Sequence, residues 1–263
     1  MIFAENNNIP VPKFIYPIEI DSDNKYLDFA EGALEPERSA EIDAGWYLPD
    51  ELATAVQTAL NAVTAASGDY TVSYSRTTDK FTIETDQAYL DLLWSTGSNA
   101  ASGCHTSLGF ASGADDTGAT SYAADNMLPN RFASGQPVRS PEHGFPWIRK
   151  EFVSDSGRTA VNFRRQEREL SFTMSYIREQ DLKDDWVPML VASGVARGHA
   201  VDFYPNSLDT ATYVRAYLDQ KGFDPKEMVG QAMPRFYSFK ISLREKIPAA
   251  GSVSIEDLFT RSV

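Results

Sequence analysis

Between Tyr70 and Ile83 the chain reads YTVSYSRTTDKFTI, and no other stretch restricts the fold as much. Tyr70, Val72 and Tyr74 alternate with Thr71, Ser73 and Ser75, and after a turn at RTTD the same period resumes through Phe81 and Ile83. A period of two sends alternate side chains to opposite faces, so the segment predicts a β-hairpin with one apolar face and one Ser/Thr-rich, wet face. A lone hairpin is marginal in water and needs cover. The preceding GWYLPDELATAVQTALNAV supplies it. Pro49 suits the first helical position, Asp50 and Glu51 stand at the positive end of the dipole, and Leu52, Val56, Leu60 and Val63 recur at helical spacing. Gly68 is placed to end that helix.

Upstream, KFIYPIEI and YLDFAEG read as extended segments around a DSDNK turn; downstream, AYLDLLW is helix or strand by pattern alone. Residues 111–144 are dense in Gly, Ser, Pro and Asp and read as a long connection, which places a boundary near residue 130. The second half is richer in strands. Leu170, Phe172, Met174 and Tyr176 share a face in ELSFTMSYI, as do Tyr237, Phe239, Ile241 and Leu243 in RFYSFKISLREKI. HAVDFYPN and ATYVRAYL also read as strands. One helix is expected in REQDLKDDWVPMLVASG, with Leu182, Trp186 and Leu190 on one face, Gly194 closing it, and a kink or break at Pro188. The expected fold is α+β and β-rich: a helix-plus-hairpin module over residues 1–130, then a β domain over 131–263.

Charge separates the same halves. Residues 1–130 hold 20 acids and 5 bases, residues 131–263 hold 17 and 19, and the whole chain is −13. That balance opposes general affinity for nucleic acid or anionic membrane, both polyanions. No apolar run approaches the roughly 20 residues that cross a bilayer. MIFAENNNIPVPKF lacks the basic start and apolar core of a signal peptide, so a soluble chain made in a cytoplasm is expected. Cys104 is alone and has no internal disulfide partner.

The residues that carry chemistry do not assemble into a motif. His105, His143 and His199 lack a second ligand at metal spacing, and Cys104 beside His105 has no nucleophile context. Asp115, Asp116 and Asp125 do not follow a calcium-loop spacing, and Asp21 with Asp23 reads as a turn. GxSxG, HExxH, CxxC and phosphate-loop patterns are all missing. No enzyme, cofactor or metal is expected, although two carboxylates brought together by the fold would reopen the question. The bases of RKEFVSDSGRTAVNFRRQERE are interleaved with acids, so Arg158, Arg164, Arg165 and Arg168 are candidates for a protein–protein interface rather than for nucleic acid.

The combination Gly45-x-Tyr47, Pro49 to Ala53, Tyr70 to Val72 returning as Phe81 to Ile83, Leu92–Leu93, and Leu108 to Phe110 before an Asp-rich loop spans roughly residues 40–126. It resembles a module of structural proteins from tailed phages and some large DNA viruses. The second half, with ELSFTMSYI, a helix, VDFYPN and a closing RFYSFKISLRE, is similar to the tail-tube fold that distal tail proteins also use. The resemblance implies a virion tail protein with a tube-like β-sandwich, assembled as a ring, commonly a hexamer, around a central channel. It implies contacts with copies of itself, with the tail tube and with tip or fibre proteins, and no catalytic residues. Distal tail proteins usually place the tube-like domain first, whereas here it comes second. Two further readings stay open: a minor capsid or head decoration protein, and a host-glycan-binding tail appendage using Trp46, Trp94 or Trp147.

Overall fold

Strand β1 (Lys13–Ile15) pairs antiparallel with Ala200–Tyr204, far along the chain. The computed structural model describes residues 12–32, 35–63, 68–133, 136–137, 142–144, 147–153, 159–166, 169–193, 199–205, 208–218, 225–227 and 236–245. They form an α+β, β-rich protein that divides into two units, Tyr16–Arg131 and Met1–Ile15 with Phe132–Val263. The first unit is therefore an insertion into the second. The sequence grouped residues 1–130 together; the pairing of β1 assigns the chain's first strand to the other unit instead. Both ends of the insertion are tied, because Tyr16 N–H donates to the Asn130 carbonyl at 3.0 Å and Asn130 Nδ2 donates to the Pro17 carbonyl at 2.8 Å.

Within the insertion, β2 (Ile18–Ile20), β3 (Tyr26–Ala30), β4 (Arg38–Glu41) and β5 (Gly45–Tyr47) lead into helix α1 (Pro49–Asn61). Pro49 opens α1, and Leu48 N–H donates to the Glu51 carboxylate at 2.9 Å, the half of a capping box that an apolar cap residue can still form. Leu52, Ala53, Val56 and Leu60 are buried. The helix stops at Asn61, so Val63 lies beyond it and Gly68 does not cap it. Gly68 instead permits a close approach: its N–H donates to Glu31 at 2.7 Å, and a Cβ there would sit 2.9 Å from Thr85 Oγ1.

The hairpin follows as β6 (Tyr70–Ser75) and β7 (Lys80–Thr85), with Val72 opposite Ile83 and Tyr74 opposite Phe81. Tyr70, Val72, Phe81 and Ile83 are buried, Thr71 and Ser73 are exposed, and α1 packs on β6. The turn ends at Asp79 with φ of 53°, a left-handed conformation that Asp tolerates better than most residues. Asp79 is held there by Tyr74 Oη at 2.9 Å and by Arg131 at 2.8 Å.

AYLDLLW resolves as a strand, β8 (Leu90–Leu92). Helix α2 (His105–Leu108) is a single turn closed by Gly109 at φ of 82°, where a Cβ would lie 2.6 Å from the Asn126 carbonyl. This is the physical content of the Leu-Gly-Phe motif: the glycine turns the chain so that Leu108 and Phe110 are both buried. The stretch read as a connection then supplies β9 (Asp116–Ala119) and β10 (Ser121–Ala123). The sheets of the insertion run in the orders β4-β3-β8-β9, β10-β7-β6 and β2-β5.

The second unit resumes with β11 (Arg131–Ala133), β12 (Gln136–Pro137) and β13 (Glu142–Gly144). The ribbon β14 (Trp147–Val153) and β15 (Thr159–Gln166) follows, then β16 (Glu169–Arg178). The SDSG between β14 and β15, residues 154–157, reads as a turn in the sequence and lies outside the described residues. Helical turns Glu179–Asp181, Leu182–Trp186 and Val187–Ser193 run on without a break and are together termed α3. The last strands are β17 (Ala200–Tyr204), β18 (Val214–Leu218), β19 (Lys226–Glu227) and β20 (Phe236–Glu245). One nine-stranded sheet has the order β11-β1-β17-β18-β20-β16-β12, with β13 also on β16 and β19 on β20.

Pro188 leaves its mark on α3. Leu182–Trp186 forms a π-helical turn, which widens the helix just where the proline lacks an N–H and its ring crowds the carbonyl four residues back. Trp186 is fully buried and meets Phe14, Phe132 and Phe239 edge-on, with centroids 5.1, 4.9 and 4.8 Å away. Met189, rather than Leu190, completes the buried side. On β16 a bulge follows Met174, so Ile177 takes the buried position that strict alternation would give Tyr176. Gly194, and the side chain of Tyr176, lie outside what the structure describes.

All five residues of β17 are buried, so this strand is covered on both faces. Phe203 packs with Phe14 and Phe172, while Asp202 accepts from Arg215 Nε at 2.7 Å and from its Nη2 at 2.9 Å. Lys13 lies over the Tyr204 ring at 4.1 Å. No helix among the described residues is long and apolar enough to cross a membrane.

Candidate assembly surface

The acids that the sequence weighed as metal ligands and read instead as turn residues are engaged by the chain itself. Asp115 accepts from the amides of Ser95 and Thr96 at 2.7 and 3.2 Å and from both hydroxyls. Asp116 accepts from Trp94 Nε1 at 2.9 Å, and Asp125 from the Ala111 amide at 2.8 Å. Asp21 accepts from the Asp23 amide at 2.8 Å, closing the DSDNK turn. Among the described residues no three His, Cys, Asp or Glu side chains are grouped to hold a metal ion.

Cys104 is fully buried, and desolvation pushes its thiol up to about 12, which favours the protonated, less nucleophilic form at neutral pH. Burial also lowers the pKa of neighbouring His105, favouring the neutral ring. His199 is half-buried, and the side chain of His143 lies outside the described set. Trp94 is buried against Phe110, so it offers no sugar platform; Trp46 is half-buried and the Trp147 side chain is not described.

Of the four arginines proposed for an interface, Arg158 and Arg168 lie outside the described residues. Arg164 and Arg165 are on β15, where only the backbone is described. Arg165 pairs with Ile148 and Phe163 with Arg149, which makes Arg164 the extra residue of a β-bulge. The ribbon β14–β15 pairs with itself and with no other described strand. An isolated two-stranded ribbon is marginal in water, and neither outer edge of this one meets another described strand.

The β10-β7-β6 sheet has two very different edges. On the β6 side, α1 covers the strand with two amide side chains. Asn61 Oδ1 accepts from Tyr70 N–H at 2.8 Å while its Nδ2 donates to the Tyr70 carbonyl at 3.0 Å, and Gln57 accepts from Val72 N–H at 3.0 Å. These side chains imitate a neighbouring strand. The sequence reading missed both residues; the available signal was two amides at i and i+4 on a helix packed against a hairpin.

On the β10 side no described strand follows. Thr85 N–H donates to the Thr120 carbonyl at 2.9 Å and Ala124 N–H to the Phe81 carbonyl at 2.8 Å. Antiparallel geometry then turns the main-chain groups of Ser121 and Ala123 away from β7. Both residues are exposed and small.

Charge marks the insertion further. Residues 16–131 contain 19 acids and 5 bases. Each base is held: Lys25 by Glu41, Arg38 by Glu31, Arg76 by Asp50, Arg131 by Asp79, and Lys80 by the Asp125 carbonyl. All five are half-buried, and with 19 acids against 5 bases the unit keeps a net negative field. Comparison of the chain with known protein families and with curated proteins finds no match to either.

Proposed function

We propose that this chain is a non-enzymatic structural protein of a phage tail, forming a ring at or near the distal end of the tube and joining it to tip or fibre proteins. The observation that supports this most is the ribbon β14–β15, whose strands pair only with each other among the described strands and which carries two of the interface arginines. A ring would supply each of those edges with a neighbouring subunit. The sequence resemblance to viral tail modules supplies the setting. The engagement of Asp115, Asp116, Asp125 and Cys104 in local structure is consistent with a scaffold.

Native mass spectrometry of the purified protein, with immunogold labelling of virions, tests this reading. Closed oligomers and label at the tail tip are expected. A strictly monomeric protein within assembled particles, or label on the head, would overturn it.

A further inference from the structure

The two edges of the β10-β7-β6 sheet pose a problem that the ring reading alone does not answer. One edge is sealed by Asn61 and Gln57; the other carries none of the usual blocks. Thr120 to Ala123 has no Lys, no Pro and no bulge, and Ser121 and Ala123 direct their main-chain groups outward beside exposed side chains. Sheets left open in this way add strands or aggregate.

We propose that the β10 edge takes up a strand from the ribbon β14–β15 of a second copy of this chain, extending the sheet across the subunit boundary. This rests on the ring reading and names its contact. Three observations select the occupant. The ribbon pairs with no other described strand, so it has an edge to offer. Residues 147–168 contain six bases and three acids, whereas the insertion that bears β10 contains 19 acids and 5 bases. Glu84, exposed on β7, accepts from Ser121 Oγ at 3.0 Å and places negative charge beside the open edge. Main-chain pairing would supply the contact, and opposite charge would choose the partner and speed encounter. Because edge and ribbon are different surfaces, the contact is heterologous. Repeated from copy to copy, it generates a ring if the rotation closes.

The test uses the full-length protein. Ala123→Pro removes an outward N–H while leaving the ladder to β7 intact, because Ala123 does not bond across to β7. Sedimentation across a concentration series should show assembly shifted to about tenfold higher concentration or more, with near-UV circular dichroism unchanged. A photo-crosslinker at Ser121, in a mixture of isotope-labelled and unlabelled copies, should then link to residues 147–166 of the other isotope; this readout needs no proline variant to fold. Crosslinks confined to other segments, with assembly intact in Ala123→Pro, would overturn this contact and leave the ring standing. Wild-type protein that never associates would overturn the ring reading itself.

Discussion

Asn61 and Tyr70 meet through two antiparallel hydrogen bonds, amide side chain to main chain, at 2.8 and 3.0 Å. The pair closes a sheet edge with a helix rather than with a strand, and it ties α1 to β6 in a single register. Replacing Asn61 with Ala leaves a main-chain donor and acceptor half-covered and unmatched. Urea unfolding should show a loss of about 1–2 kcal/mol. Thioflavin fluorescence should also rise in Asn61→Ala/Gln57→Ala, since the edge is then open; stability and fluorescence equal to wild type would contradict the covering role.

Asp202 and Arg215 form the most deeply buried ion pair described, on adjacent strands of the nine-stranded sheet. Removing one partner takes two charge-assisted hydrogen bonds from a buried charge. Asp202→Ala should cost about 3–5 kcal/mol by denaturant unfolding, and Asp202→Leu/Arg215→Met should recover much of that loss. A double variant no more stable than Asp202→Ala would contradict an uncompensated buried charge as the source of the loss.

Asp115 makes acid sensitivity local. Burial by itself raises its pKa, but the hydroxyl and amide donors of Thr96 and Ser95 together outweigh that and hold it below the ordinary value of 3.8. A depressed folded-state pKa means its contribution is complete above the ordinary value and is lost as pH falls through the lower, folded one. The Ser95 and Thr96 amide resonances should therefore titrate only on the acid side of 3.8. In Asp115→Asn that titration should vanish; its persistence would reassign it to another group.

Cys104, with its pKa near 12, should stay unreacted toward an aromatic disulfide reagent in the folded protein at pH 8 and react fully in guanidinium. Rapid reaction under native conditions would contradict its burial.

The tied ends of the insertion make it separable. A fragment of residues 16–131 keeps the Tyr16–Asn130 and Asn130–Pro17 hydrogen bonds, and should give a dispersed amide spectrum and a cooperative melt. A collapsed spectrum would show that the insertion depends on its host.

Local rules were readable along the sequence, and long-range pairing was not. Pro49, the Leu52–Val56–Leu60 stripe and the alternation through Ile83 each report within a turn or a strand pair, and each corresponds to a described element. Lys13–Ile15 gave no hint of its partner, because a three-residue strand does not encode which distant strand it joins. Residues 116–123 read as a connection because small polar side chains carry little strand preference; their pairing comes from β7 and β8. The edge covers Asn61 and Gln57 look like ordinary helix surface until the hairpin lies beside them. The arginines read as interface candidates were chosen from the charge pattern of a predicted strand, and for Arg164 and Arg165 the structure adds the strand's bounds and the bulge.

The proposed function requires a surface that binds copies of this chain and fellow virion parts rather than a substrate. An electron cryomicroscopy map of an intact particle containing this chain tests it most directly. The prediction is a closed ring of identical subunits at the distal end of the tail tube. Single, unassociated copies, or density only on the head, would contradict it.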